Sequence, residues 1–176
     1  NAGNMYGCSN LAYMYDNGSY VKQDYAMGYK WYLKGAELGN PVCMNMVGQY
    51  NLHGKGRDKN YAEAARWYQK TIEADPKNSA AYCNLGYCYE FGYGVPLDLS
   101  KALEYYEKSA NLGNETGKGN LTNLKEKIAK NPNKKIDTGK SIDPVKVLDD
   151  ILNDKNKKKE DSVPVLSPME ELNQLV

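Results

Sequence analysis

Three stretches of this chain superpose on one another, and that self-similarity limits the fold more than any single residue does. The first runs through Leu11, Tyr13, Tyr15, Gly18, Asp24 and Trp31-Tyr32-Leu33-Lys34. The second runs through Val47, Gln49, Gly54, Asn60 and Trp67-Tyr68-Gln69-Lys70, and the third through Leu85, Tyr87, Tyr89, Gly92, Asp98 and Tyr105-Tyr106-Glu107-Lys108. Gly18 to Gly54 and Trp31 to Trp67 are both offsets of 36; Gly54 to Gly92 and Trp67 to Tyr105 are both 38. Two landmarks moving in step place the extra residues between Lys70 and Gly86.

Each unit reads as two helices. The first ends at Gly18, Gly54 or Gly92, since glycine takes the left-handed conformation that closes a helix. The second starts at Asp24, Asn60 or Asp98, whose side chains accept from unpaired amides of a first turn. It stops at Gly39, at Asp75-Pro76 and at Gly113. Small residues are expected to bring the helices together at Gly7, Cys43 and Ala81, and at Ala26, Ala62 and Ala102 (Ser100 being the strict equivalent of Ala26). Trp31, Trp67 and Tyr105 are expected to fill the space between neighbours. One such hairpin cannot bury its own apolar face, so stability must come from stacking.

This pattern resembles the Sel1-like repeat family, a relative of the tetratricopeptide repeat. The third unit carries it best: Ala81, Leu85-Gly86, Tyr89, Gly92, Gly94-Val95, Asp98, Lys101-Ala102, Tyr105-Tyr106, Lys108, Ala110 and Gly113. The first unit departs at Ala12 and Tyr20, where the family has Gly; the second departs at Asn51 and Arg57. The junction from Ile72 through Pro76 to Ala81 resembles the tetratricopeptide form of the linker. The resemblance implies an all-α, right-handed α-α superhelix, an α-solenoid of helix-turn-helix units at about 4–39, 40–75 and 79–113, with a capping helix at 115–129. Asn1-Ala2-Gly3-Asn4 matches the junctions at 37–40 and 111–114, so further repeats are expected upstream.

Beyond the array, residues 130–176 carry nine lysines and nine acidic residues with few aromatics. Such a stretch cannot bury enough apolar surface to offset ordering, and it reads as a mostly disordered charged tail. Asp143-Pro144 followed by Val145, Val147, Leu148, Ile151 and Leu152 forms an amphipathic pattern over about 144–153. Ser167-Pro168-Met169-Glu170 is a second helix-start pattern. The tail reads either as solvated chain with nascent helix or as a linear motif docking on the array's groove or on a partner.

The formal charge of +1 gives no overall drive toward nucleic acid or acidic membranes. No apolar run approaches the roughly 18 residues a membrane span needs, so direct insertion is not expected. Cys8, Cys43, Cys83 and Cys88 form no CxxC pair and have one histidine, His53, beside them in the composition. They read as reduced packing residues, with a redox or metal role as the alternative, and point to a cytoplasmic setting. No catalytic or metal-binding constellation is visible, and no cofactor is implied. Glu63/Arg66 and Glu104/Lys108 have the spacing of exposed helical ion pairs.

The resemblance also implies where a partner would sit. In tetratricopeptide-like arrays the concave surface is lined by first-helix positions two before and two after the repeat leucine, and one turn beyond. Here these are Ser9, Tyr13 and Asp16; Asn45, Gln49 and Leu52; and Cys83, Tyr87 and Glu90. The carboxylate-clamp version of such grooves needs Lys, Arg and Asn, so acidic C-terminal tails of chaperones are not expected to bind. Tyr rings beside Asp16 and Glu90 suit a peptide with apolar and basic anchors. The resemblance thus implies a protein–protein interaction scaffold or adaptor. The alternative is the regulatory or substrate-recognition region of a larger enzyme (a kinase, a hydrolase or a ubiquitin-ligase component).

Overall fold

The computed structural model describes residues 2–130, all of whose regular structure is helical. The tail helix patterns at 144–153 and 167–175 lie outside the described residues. First helices are α1 (Ala2–Asn17), α3 (Pro41–His53) and α5 (Ser79–Phe91); second helices are α2 (Tyr25–Glu37), α4 (Tyr61–Ala74) and α6 (Leu99–Asn111). A last first-type helix, α7 (Glu115–Lys130), closes the described chain. Each helix packs on the next in sequence, and α7 also touches α5.

Local chemistry fixes the ends. Asp24, Asn60 and Asp98 accept from the amides of Met27, Glu63 and Lys101 at 3.0, 3.1 and 3.0 Å. Asn40, Asn78 and Asn114 do the same for the first helices, accepting from Cys43, Ala81 and Gly117. The loop inside each unit is closed by one equivalent backbone bond: Asp24 to Tyr15, Asn60 to Asn51 and Asp98 to Tyr89. Gly54 and Gly92 end their helices in the left-handed region, at φ 72° and 69°.

Stacking relies on a second loop glycine. A Cβ on Gly56 would lie 2.5 Å from the Tyr25 carbonyl carbon, and one on Gly94 would lie 2.1 Å from the Tyr61 carbonyl oxygen. Each glycine therefore seats directly on the start of the preceding unit's second helix. Tyr20 stands at this position in the first unit, also at positive φ (68°), with its side chain almost wholly in solvent.

Two packing expectations need correction. Ala26 and Ala62 are exposed and do not lie between paired helices. The small row in the interior is Gly28, Ala64 and Ala102, two residues further along in the first two units, because that turn faces the first helix. Ala64 and Ala102 are fully buried, and a Cβ on Gly28 would meet the Tyr50 hydroxyl at 2.8 Å. Of each aromatic pair it is the second ring, Tyr32, Tyr68 or Tyr106, that fills the core. Trp31 and Tyr105 are only half-buried, and Trp67 alone of the leading rings is buried.

All four cysteines are free and buried. Burial pushes the Cys43 thiol up to about 11, with Cys8 beside it adding to the shift, and pushes Cys88 up to about 12. These are unreactive packing groups at neutral pH. The expected ion pairs form, Arg66–Glu63 at 3.3 Å and Lys108–Glu104 at 2.9 Å.

Candidate interaction surface

The first helices lie side by side, and three of the hydrogen bonds between them mark one face. Asn84 of α5 donates to Asn45 of α3 at 3.0 Å, Asn120 of α7 donates to the Cys83 sulfur of α5 at 3.5 Å, and Lys127 of α7 reaches Glu90 at 2.7 Å. The first two join equivalent positions, since Asn45 corresponds to Cys83 and Asn84 to Asn120. They form a polar ladder that ties neighbouring units together across this face.

That ladder and the packing beneath it divide the sequence-derived site residues. Tyr13 stands out, 61% exposed. Ser9, Gln49 and Tyr87 are half-buried, Ser9 donating back to the Tyr6 carbonyl. Asn45 and Cys83 are buried in the ladder, and Leu52 is buried in the apolar cluster with Ala64, Tyr68 and Leu85.

Asp16 and Glu90 are not free to meet a basic anchor. Asp16 accepts from the Tyr50 hydroxyl and from Lys55, both at 2.6 Å, and Lys55 also lies 4.4 Å over the Tyr25 ring. Glu90 accepts from the Tyr106 hydroxyl at 2.9 Å while Lys127 holds its other oxygen. Both phenols titrate well above their ordinary range, chiefly through burial and then through these carboxylates. The expectation of basic anchors is therefore corrected: each acid is already neutralised by a lysine and a phenol. Both clasps cross a junction, from the first unit to the second and from the third to α7.

The large exposed side chains that remain on the face are apolar or aromatic. Helical spacing places Tyr6 two turns below Tyr13 in register, and Phe91 one turn above Tyr87. Tyr6 is 61% exposed, Val42 (the equivalent of Tyr6 on α3) 59%, and Phe91 42%. Tyr87, Phe91 and Tyr93 form a ring cluster with centroids 4.7–5.7 Å apart, and Tyr93 stacks on Tyr61 at 4.6 Å. Tyr6, Val42 and Phe91 were missed by taking three positions per helix; extending the same face seven residues down and four up from the Tyr13–Gln49–Tyr87 row finds them. Among the described residues no group of three or more His, Cys, Asp or Glu could hold a metal ion, and no helix is long and apolar enough to cross a membrane.

Helix hairpins stacked edge to edge, with their first helices sharing one face, make this an α-solenoid of the tetratricopeptide-like class. The Sel1 repeat profile matches residues 6–40, 41–76 and 79–114, and the chain belongs to the Sel1 repeat family. Repeats of this kind serve in protein–protein interaction. Among curated proteins, the ERAD-associated E3 ubiquitin-protein ligase component HRD3A of Arabidopsis thaliana is 32% identical over half of this chain and 13% of its own length. Protein sel-1 homolog 2 of Mus musculus is 36% identical over 49% of this chain and 12% of its own. The chitin synthase regulator SKT5 of Saccharomyces cerevisiae is 34% identical over 60% and 15%. The chain thus spans a small fraction of the relatives it matches. Among solved structures, a Sel1 repeat protein from Oxalobacter formigenes aligns with a TM-score of 0.60 at 25% identity, over 76% of this chain and 50% of that one. A protective antigen of uropathogenic Escherichia coli displaying an SLR fold aligns with a TM-score of 0.62 at 26% identity, over 86% and 31%.

Proposed function

We propose that the array is an interaction scaffold that holds a protein partner across the first-helix face, with the Tyr13–Gln49–Tyr87 row at its centre and Tyr6, Val42 and Phe91 flanking it. One observation carries this reading: large apolar side chains stay in solvent along one helical face while the remaining carboxylates there are neutralised internally. Such a surface selects a peptide or helix with apolar anchors and gains little from basic ones. Polar Ser9, Gln49 and His53 between the rings supply hydrogen bonds without a charge requirement. Proximity labelling with the native array and with Tyr13→Ala plus Tyr87→Ala tests it. The partners enriched by the native chain should drop out with the double variant and persist with a control at Lys30 and Arg66. Equal labelling by all three forms, with unchanged melting, would sink the reading.

A second reading is that the array is the substrate-recognition or regulatory portion of a larger enzyme assembly. It is favoured by the relatives named as ubiquitin-ligase components and by the small share of their length that this chain spans. A complete transcript settles the choice: a kinase, hydrolase or ligase domain in the same polypeptide supports it, and repeats alone oppose it.

A further inference from the structure

We infer that the first-helix face has an occupant within its own chain: residues 144–152, which dock there and compete with the external partner. The inference rests on the scaffold reading above, since it assigns an occupant to the same surface.

The exit point of the chain comes first. Lys127, in the last turn of α7, pairs with Glu90 at 2.7 Å and lies 5.4 Å over the Phe91 ring. α7 ends at Lys130, less than one turn later, so the described chain ends close to the Lys127–Phe91 contact. Reach is sufficient. Residues 131–143 span up to about 45 Å when extended, and α1 lies three first-helix spacings away, roughly 30 Å at usual interaxial distances. Every ring of the face is therefore accessible to the segment.

Chemistry selects this segment over the rest of the tail. Val145, Leu148, Ile151 and Leu152 recur at helical spacing, whereas 155–159 is dominated by lysine. A helix of nine residues is about 14 Å long, enough to lie across the neighbouring first helices α3 and α5 and set its apolar row against the Tyr87–Phe91 rings beside Gln49. Residues 143–154 carry four aspartates and one lysine. They would be repelled by free Asp16 and Glu90, but both of those carboxylates are taken up by lysine and tyrosine. Lys127 borders this face and is already paired with Glu90, so the contact rests on apolar packing and not on charge. Tethering supplies the rest: a short connection gives an effective concentration on the order of 1 mM, so even a weak apolar contact is occupied much of the time.

The test uses the full chain with p-benzoylphenylalanine replacing Gln49, a half-buried polar residue at the centre of the face. Irradiation should give a monomeric adduct whose crosslinked peptide contains residues 144–152. Leu148→Asp plus Ile151→Asp, which lie outside the array and leave its melting unchanged, should abolish that adduct and raise partner labelling several-fold. An adduct confined to other tail segments, an adduct only between two copies, or one unaffected by the double variant would overturn the inference. If no tail adduct forms while Tyr13→Ala plus Tyr87→Ala still loses the partners, this inference fails and the scaffold reading stands. If no tail adduct forms and that double variant labels the same partners as the native chain, the scaffold reading fails as well.

Discussion

Tyr68 and Tyr106 occupy equivalent core positions, yet their hydroxyls meet different fates. Tyr106 donates to Glu90; the Tyr68 hydroxyl is buried without a partner, because Leu52 stands where Asp16 and Glu90 stand in the flanking units. A hydrogen bond to a charged group contributes about 1.5–3 kcal/mol, whereas an unpaired buried hydroxyl contributes nothing to offset its desolvation. Urea unfolding should therefore show Tyr106→Phe and Tyr50→Phe destabilised by about that amount, and Tyr68→Phe neutral or stabilised. Equal losses at all three would show that the phenols act by packing alone. The cysteines give a second residue-scale expectation. Cys43 and Cys88 hold their protons to about 11 and about 12 in the fold, against 9.0 without burial. Between those values the unfolded chain releases protons that the native chain retains. The stability they contribute is thus complete below pH 9 and is lost as pH rises through the folded values. The urea midpoint should be level through neutrality and fall above about pH 9, and a thiol reagent at pH 7.5 should label only unfolded chains.

At the scale of elements, size is balanced across two of the junctions. Gly35 and Ser109 are equivalent second-helix positions, and they face the next first helix at Cys43 and Gly117. A Cβ on Gly35 would lie 2.5 Å from the Cys43 sulfur, and one on Gly117 would lie 2.3 Å from the Ser109 hydroxyl. Each of these two junctions pairs a smaller residue with a larger one, so the same space is filled by different side chains. Gly35→Ala should cost about 1–3 kcal/mol by overpacking, and adding Cys43→Ala should restore most of it in the same unfolding assay. A larger effect is expected at Gly94, where φ is 73° and any Cβ meets the Tyr61 backbone. Gly94→Ala should separate the unfolding of α5–α7 from that of α1–α4 in hydrogen exchange, while Asp98→Ala, which removes only a cap, should lower stability by about 1 kcal/mol without splitting the transition.

For the molecule as a whole, nearest-neighbour stacking makes the array one cooperative unit only while each junction holds. The proposed interaction surface rests on differences between units rather than on the repeat itself, and Asp16 and Glu90 on that face are internally satisfied. An acidic C-terminal peptide should accordingly show no saturable binding in fluorescence anisotropy at micromolar concentrations; binding lost on changing Gln49 would contradict the apolar assignment. The helix boundaries, the caps at Asp24, Asn60 and Asp98, the closing glycines and the hairpin order were legible in the sequence, because each depends on contacts within a few residues along the chain. The interior small row was misread by two residues at Ala26 and Ala62, since the side of a helix that faces its partner follows from crossing geometry and not from the repeat pattern. The same limit applied to the site. Periodicity could assign Asp16, Asn45, Cys83 and Glu90 to one face, but only the tertiary structure decided that Lys55, Tyr50, Asn84, Asn120, Tyr106 and Lys127 reach them from more than fifteen positions away. Local sequence sets which backbone groups need a partner; distance in the chain hides which side chains arrive to supply one.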